Sequence, residues 1–327
     1  MLRYIGQRII YMIPTLLIII VVGYIIMELP PGDYLTYYVT QLLAAGNEGA
    51  MEEAEALRIR YSLDRPAYER FFNWIFHFVQ GDFGDSFAYR KPVKELIGQN
   101  LLMTMVISLL SLAISWCIGV PIGVYSATHQ YKLGDHFFTL MAFLGVGVPG
   151  FLLALVLLVV GTRLFGFVPA GLFSAAYERA PWSFGKFVDL LKHLWIPSLI
   201  VALTSTAGLM RTMRGNLLDV MRMAYIQAAR AKGQKETVLM WKYGVRNAIH
   251  PLVMTMGSAL PSLVSGATVT AIVLNLPIMG PVYLQAVRQQ DIYLAGTMLI
   301  LTTFLLVIGN LLADILLAVV DPRVRYD

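Results

Sequence analysis

Five histidines, one cysteine and twenty carboxylates are the side chains in this 327-residue chain that could hold a metal, attack a bond or relay a proton. His77, His129, His136, His193 and His250 are scattered, with no H-E-x-x-H or other metal-ligand spacing. Cys117 stands alone in an apolar run, so neither an intramolecular disulfide nor a thiolate cluster is expected. No G-x-x-x-x-G-K-[ST] phosphate loop and no G-x-S-x-G nucleophile turn occurs. The chain therefore shows no sign of covalent chemistry or of hydrolysing ATP itself, and no metal or cofactor is expected on it. Asp314 lies within an apolar run, where a carboxylate is either a structural anchor or part of a proton relay.

One stretch concentrates polar chemistry of another kind. Residues 225–251 read YIQAARAKGQKETVLMWKYGVRNAIHP. The Ala, Arg and Met of residues 219–232 predict a helix, and Gly233 is suited to end it in a left-handed conformation. A second helix is predicted from Gln234 to Tyr243, with Gly244 near its end and Pro251 opening an apolar run. Ala228, Ala229 and Ala231 leave little side-chain bulk, while Arg222, Arg230, Lys232 and Lys235 surround them. Such a helix-turn-helix suits a partner's groove. It equally suits a basic helix lying on anionic lipid, where each Lys or Arg contributes about 1 kcal/mol.

The elements that must position this loop are apolar. The chain is 57% hydrophobic and 14% charged, with a mean hydropathy of +0.67. A spanning helix needs roughly 20 apolar residues, and six segments qualify, near 9–28, 101–126, 137–161, 195–217, 252–275 and 293–320. The chain is thus an all-α integral membrane protein. A net charge of +5 raises the question of nucleic acid, but the charges fall between apolar runs rather than along one polar face, so no nucleic-acid partner is expected. Arg3 and Arg8 precede the first run, yet it ends in Glu28-Leu29-Pro30-Pro31-Gly32-Asp33 with no cleavage site, which reads as an uncleaved span. Placing residues 1–8, 127–136, 211–251 and 321–327 in the cytoplasm gives them 13 of the 25 basic residues and 5 acids. Both termini are then cytoplasmic, and the 211–251 loop supplies most of the positive-inside signal.

Other segments have their own signatures. Residues 48–60 carry Glu and Arg at helical spacing and predict a short solvated helix. SLDRPAYERFFNWIFHFVQGDFGDSF and WSFGKFVDLLKHL interleave aromatics with polar residues, which suits elements on the outer face of the bilayer or packing against span ends. Gly119 and Gly123 form a G-x-x-x-G, and Ser262 with Gly266 a second small pair, both suited to close helix approach. The Gly-Val-Gly-Val-Pro-Gly run at 145–150 interrupts the third span and Pro261 the fifth, so that Pro149, Ser262, Ser265 and Thr268 are candidates for a solute path or for simple kinks. A self-powered secondary transporter would need central coupling-ion carboxylates, which the spans lack. An intramembrane enzyme is disfavoured by the missing catalytic motifs.

YIQAARAKG followed by WKYGVRNAIHP resembles the EAA loop of binding-protein-dependent ABC importer permeases, in particular the oligopeptide/dipeptide permease B-type branch. LRYIGQRII, GDFGDSF, LPIMGPVYLQAVRQQDIYLAG and DPRVRY agree with the same branch and run from end to end of the chain. The resemblance implies six transmembrane helices in a type I ABC importer permease (MetI-like) fold. Residues 1–99 would form the first span and an extracytoplasmic segment, and residues 100–327 a five-helix core with its coupling loop at about 219–250. It implies two permease subunits, the second a paralogue, two ATP-binding subunits carrying ATP and Mg, and an extracytoplasmic solute-binding protein, all at a bacterial or archaeal cytoplasmic membrane. Docking of the ATPase falls on Tyr225, Gln227, Ala228, Ala229, Arg230, Lys232 and Gly233. Gln227 stands where many members have Glu, and the family's later I-x-L-P falls on Tyr243-Gly244-Val245-Arg246. A PGLG-like turn appears as Pro277-Ile278-Met279-Gly280. The solute implied is peptide-like or oligosaccharide-like.

Overall fold

In a computed structural model the described residues are 2–29, 64–166, 170–178, 180–256 and 268–320, with isolated positions between 35 and 58. Long apolar sequence runs become long helices. These are α1 (Leu2–Glu28), α3 (Val93–Thr128), α6 (Phe184–Met221) and α12 (Ile292–Val320). Between them lie α2 (Ala67–Val79), a two-strand hairpin of β1 (Asp85–Ser86) and β2 (Lys91–Pro92), α4 (Leu133–Gly147) and α5 (Gly150–Phe165). After α6 come α7 (Ala224–Ala231), α8 (Glu236–Val238), a π-helical turn (Leu239–Val245), α9 (Arg246–Ala248), α10 (Thr268–Val273) and α11 (Met279–Arg288). Among the described residues four helices are long and apolar enough to cross a membrane, and α4 with α5 adds a fifth span if the pair is counted as one. The middle of the expected fifth span, residues 257–267, lies outside the described residues, and with it Ser262, Ser265 and Pro261. The acidic helix at 48–60 lies mostly outside them too.

The interruption expected in the third span is present, and one other predicted element takes a different form. The third span is not straight: its two halves meet at 100°, because Val148 and Pro149 adopt extended backbone and a proline cannot donate to the preceding turn. The outer segment at 182–194 is not separate from the fourth span, since α6 runs unbroken for 38 residues from Phe184. Ser183 caps it by accepting from Lys186 N at 3.2 Å. The buried Lys186 ammonium donates to Ala180 O at 2.7 Å and lies over the Phe173 ring. Its charge is thus satisfied at the helix start, and no Gly or Pro follows until Pro197.

The chain divides into two compact units, one of Ile9–Met103 and Ile278–Leu305, the other of Met1–Arg8, Thr104–Pro277 and Leu306–Asp327. In the first, α2 lies on α1 and α12 through Trp74, which is buried with Ile20, Tyr24 and Ile300. Tyr24 donates to Ala67 O at 3.1 Å, and Arg70 pairs with Glu28 at 2.9 Å. A Cβ at Gly296 would stand 2.8 Å from the Trp74 ring, so the glycine admits the indole.

Asp291 closes this unit. One carboxylate oxygen accepts from Leu294 N at 3.1 Å and caps α12, while the other accepts from Ser86 Oγ at 2.6 Å and Ala88 N at 3.0 Å. The hairpin is thereby fastened to the helix start, with Phe87 edge-on to Tyr293. Burial pushes the Asp291 carboxyl above the ordinary 3.8, outweighing the hydrogen bonds that lower it. A raised folded-state pKa means that this group's contribution is full below 3.8 and is lost as pH rises through the folded value. Acidification from neutrality should therefore favour the folded unit at this group, read as a rise in the melting temperature of the unchanged protein relative to Asp291→Asn. Asp291→Ala orphans buried N–H groups at about 1–3 kcal/mol each, whereas Asp291→Asn keeps one acceptor oxygen and should cost less. Equal melting temperatures for the two variants would contradict this.

In the second unit a stripe of small residues joins α3 to α6. Ser111 Oγ donates to Ser198 O and Ser115 Oγ to Ala202 O, both at 3.0 Å. One turn further on, a Cβ at Gly119 would be 2.9 Å from Thr206 O, and one at Gly123 2.8 Å from Met210 O. Each residue of the stripe faces a carbonyl 87 positions later, so the helices pack parallel and in register. The expected close approach at Gly119 and Gly123 is present and extends to four turns. On the other side of α6, Gly145 of α4 would place a Cβ 3.1 Å from Ala207.

Candidate docking loop

Beyond Met221 the chain turns sharply. Arg222 caps α6, Met223 is extended at φ −65° and ψ 147°, and α7 follows for eight residues. The single helix predicted over 219–232 is thus split, because Met223 donates back to Val220 O and leaves the helical path. Inside the loop, Ile226 is fully buried and anchors α7. Gln227 Nε2 donates to Met221 O at 3.2 Å, and Asn247 Nδ2 to Tyr225 Oη at 3.0 Å. Arg230 donates to Gln227 Oε1 at 2.9 Å and forks onto both Glu236 oxygens. That guanidinium holds the Glu236 carboxyl below the ordinary carboxylate range. The folded value being lowered, the latch is intact above 4.5 and loosens only as pH falls through the lower value.

Gly233 ends the helix at φ +80°, its N–H bonded to Arg230 O at 3.0 Å. This is the left-handed conformation expected of it. Nothing lies within 4 Å of where its Cβ would be, so the chain itself leaves that position open. Ala228, Ala231 and Lys232 are exposed beside it, as are Arg222 and Lys235, while Ala229 is half-buried. The residues singled out in the sequence therefore divide by role. Tyr225, Gln227 and Arg230 brace the loop through their own hydrogen bonds, and Ala228, Lys232 and Gly233 form the surface it presents.

The second predicted helix, 234–243, begins at Glu236 and widens at Leu239 into the π turn, which continues past Gly244. Gly244 is buried there, and a Cβ would stand 2.9 Å from Met221 Sδ and 3.0 Å from Leu217 Cδ1. The glycine serves close packing on α6 rather than a helix end. Of the candidate path residues, Pro149 is the extended residue preceding α5 and Thr268 lies in α10. Next to them, a Cβ at Gly150 would be 3.3 Å from Thr270 Oγ1, so α5 and α10 meet at the break. Asp314 is half-buried on α12. A further pair had no signal in the sequence: Asp135 and Arg214, 79 positions apart, are joined by two bonds of 2.7 Å.

Long apolar helices joined by an exposed, basic, alanine-rich loop define a multi-pass membrane protein. Residues 119–326 match the family described as the inner membrane component of binding-protein-dependent transport systems. Along its whole length and theirs, the chain is 35% identical to the oligopeptide transport system permease protein AppB of Bacillus subtilis. It is 30% identical to the glutathione transport system permease protein GsiC of Salmonella typhimurium, again over the full length of both. A putative peptide permease protein of Brucella ovis is 32% identical over 99% of each chain. The chain belongs to the ABC importer permeases, in their oligopeptide/dipeptide B-type branch, and is a multi-pass inner membrane protein of MetI-like fold.

Proposed function

We propose that this chain is one of two permease subunits of an ATP-driven importer whose solute, peptide-like in class, is delivered by an extracytoplasmic binding protein. The observation that carries the reading is the surface of Ala228, Ala231 and Gly233, exposed and low in bulk beside Lys232, on a loop internally braced by Gln227, Arg230 and Glu236. Small side chains let another protein's groove reach the α7 backbone, and exposed Arg222, Lys232 and Lys235 offer charge at its rim. ATP and Mg belong on the partner ATPases, and both termini on the cytoplasmic side with the loop. The relatives' names, oligopeptide, peptide and glutathione permeases, favour a peptide over an oligosaccharide.

Closure of the ATPase dimer would displace α7, and the spans would follow because the inward and outward states hold that helix differently. The broken span at Pro149 and Thr268 of α10 are the proposed walls of the solute path, together with Ser262 and Ser265. The test is reconstitution with the ATPase and the binding protein. Uptake of a short peptide should require ATP, and the ATPase should co-purify with this chain. Accumulation by the permease alone, without an ATPase, would overturn the reading.

A further inference from the structure

Asp135 is 1% exposed, in the first turn of α4, and every direction of its carboxylate is used. Arg214 of α6 donates from Nε to one oxygen and from Nη2 to the other, each at 2.7 Å. Thr139 Oγ1 adds a bond of 3.3 Å, and Tyr131 N one of 3.0 Å. Tyr131 lies in the link between α3 and α4 and has φ +63°. Tyr125, near the end of α3, stacks on His129 and covers Gly134, where a Cβ would stand 2.8 Å from its ring. The end of α3, the link, the start of α4 and the foot of α6 thus meet at one charged node.

Stability alone is a poor reason for such a node. The Asp135 carboxylate is out of water while Arg214 keeps a quarter of its side chain exposed, and the desolvation of such a carboxylate can outweigh the gain from its pairing. What a two-bond guanidinium fork supplies is a fixed orientation. The node's place gives that orientation a use. Arg214 precedes the last residue of α6 by two helical turns, and α7 follows at once. From Asp135, α4 runs to the break at Pro149, where α5 turns through 100° and meets α10.

We propose that Asp135 and Arg214 are positioning residues that lock α4 to α6, so that displacement of α7 by a docked ATPase reaches the bent α4–α5 pair. The inference rests on the docking role of α7. Its test is the stoichiometry of coupling in the complete reconstituted transporter, with Asp135→Asn and Arg214→Lys. Both variants should retain the ATPase on co-purification, while ATP hydrolysed per peptide taken up rises at least about fivefold for Asp135→Asn, the lower edge of ordinary coupling strengths. Arg214→Lys, which keeps the charge and loses the fork, should fall between that variant and the unchanged protein. If Asp135→Asn does not assemble, Arg214→Lys carries the same ratio test. An unchanged ratio, with uptake falling only in step with the amount of assembled transporter, overturns the proposal. The docking role stands or falls separately, on whether Ala228→Trp releases the ATPase.

Discussion

Replacing Gly233 by proline is expected to abolish co-purification of the ATPase and ATP-driven uptake, while the chain remains inserted in the membrane. Gly233 has φ +80°, and proline fixes φ near −65°. The substitution also removes the N–H that bonds Arg230 O at 3.0 Å. The end of α7 must then unwind, although the buried anchors Ile226 and Leu239 on either side are untouched. A second variant separates shape from backbone. Ala228 is exposed, so tryptophan there leaves α7 folded and blocks only an incoming partner. Overpacking a tight contact costs about 1–3 kcal/mol, roughly a five- to 150-fold loss of affinity. Ala229→Trp is the less clean choice, because Ala229 is half-buried and its replacement also disturbs the loop's own packing. Retention of the ATPase by both Gly233→Pro and Ala228→Trp would leave the basic residues to a lipid surface and end the docking assignment.

What the sequence made legible follows from which interactions are local. Runs of apolar residues longer than a bilayer is thick can be counted, so α1, α3 and α12 fall where expected. The end of α7 was equally readable, since a left-handed helix end is a one-residue requirement that Gly233 meets. The split before α7 was not. Met223 departs from the helix through the tertiary anchoring of Ile226 and the Gln227 bond to Met221 O, not through any breaker residue. Gly145, Gly147 and Pro149 announced a break in the third span, but its 100° angle depends on what α4 and α5 pack against. Asp135 and Arg214 have ordinary neighbours in the chain, and only the register of α4 on α6 brings them together. Asp291 likewise looked like one loop acid among many until the hairpin and α12 met on it.

The stripe between α3 and α6 joins the two helices by backbone contact, and its two halves should respond very differently to substitution. Ser115→Ala removes one bond of 3.0 Å to Ala202 O. Interhelical hydrogen bonds in membranes average about 0.6 kcal/mol, so a small drop in melting temperature is expected, with uptake preserved. Gly123→Leu meets a different obstacle. A Cβ at Gly123 would already stand 2.8 Å from Met210 O and 2.7 Å from Met213 Cβ, atoms fixed to the α6 backbone that cannot rotate away. The helices must separate, which breaks the register of Ser111 and Ser115 along the same face. Overpacking costs about 1–3 kcal/mol where a core can adjust, and here the backbone offers little adjustment, so loss near the top of that range is expected. The separation would also draw α3 from the foot of α6, where Val124, Met213, Leu217 and Leu252 pack together beneath the loop. Gly123→Leu should therefore lower thermal stability in detergent and lose both ATPase binding and uptake. A Gly123→Leu protein as stable and active as Ser115→Ala would show that α3 and α6 do not depend on backbone contact.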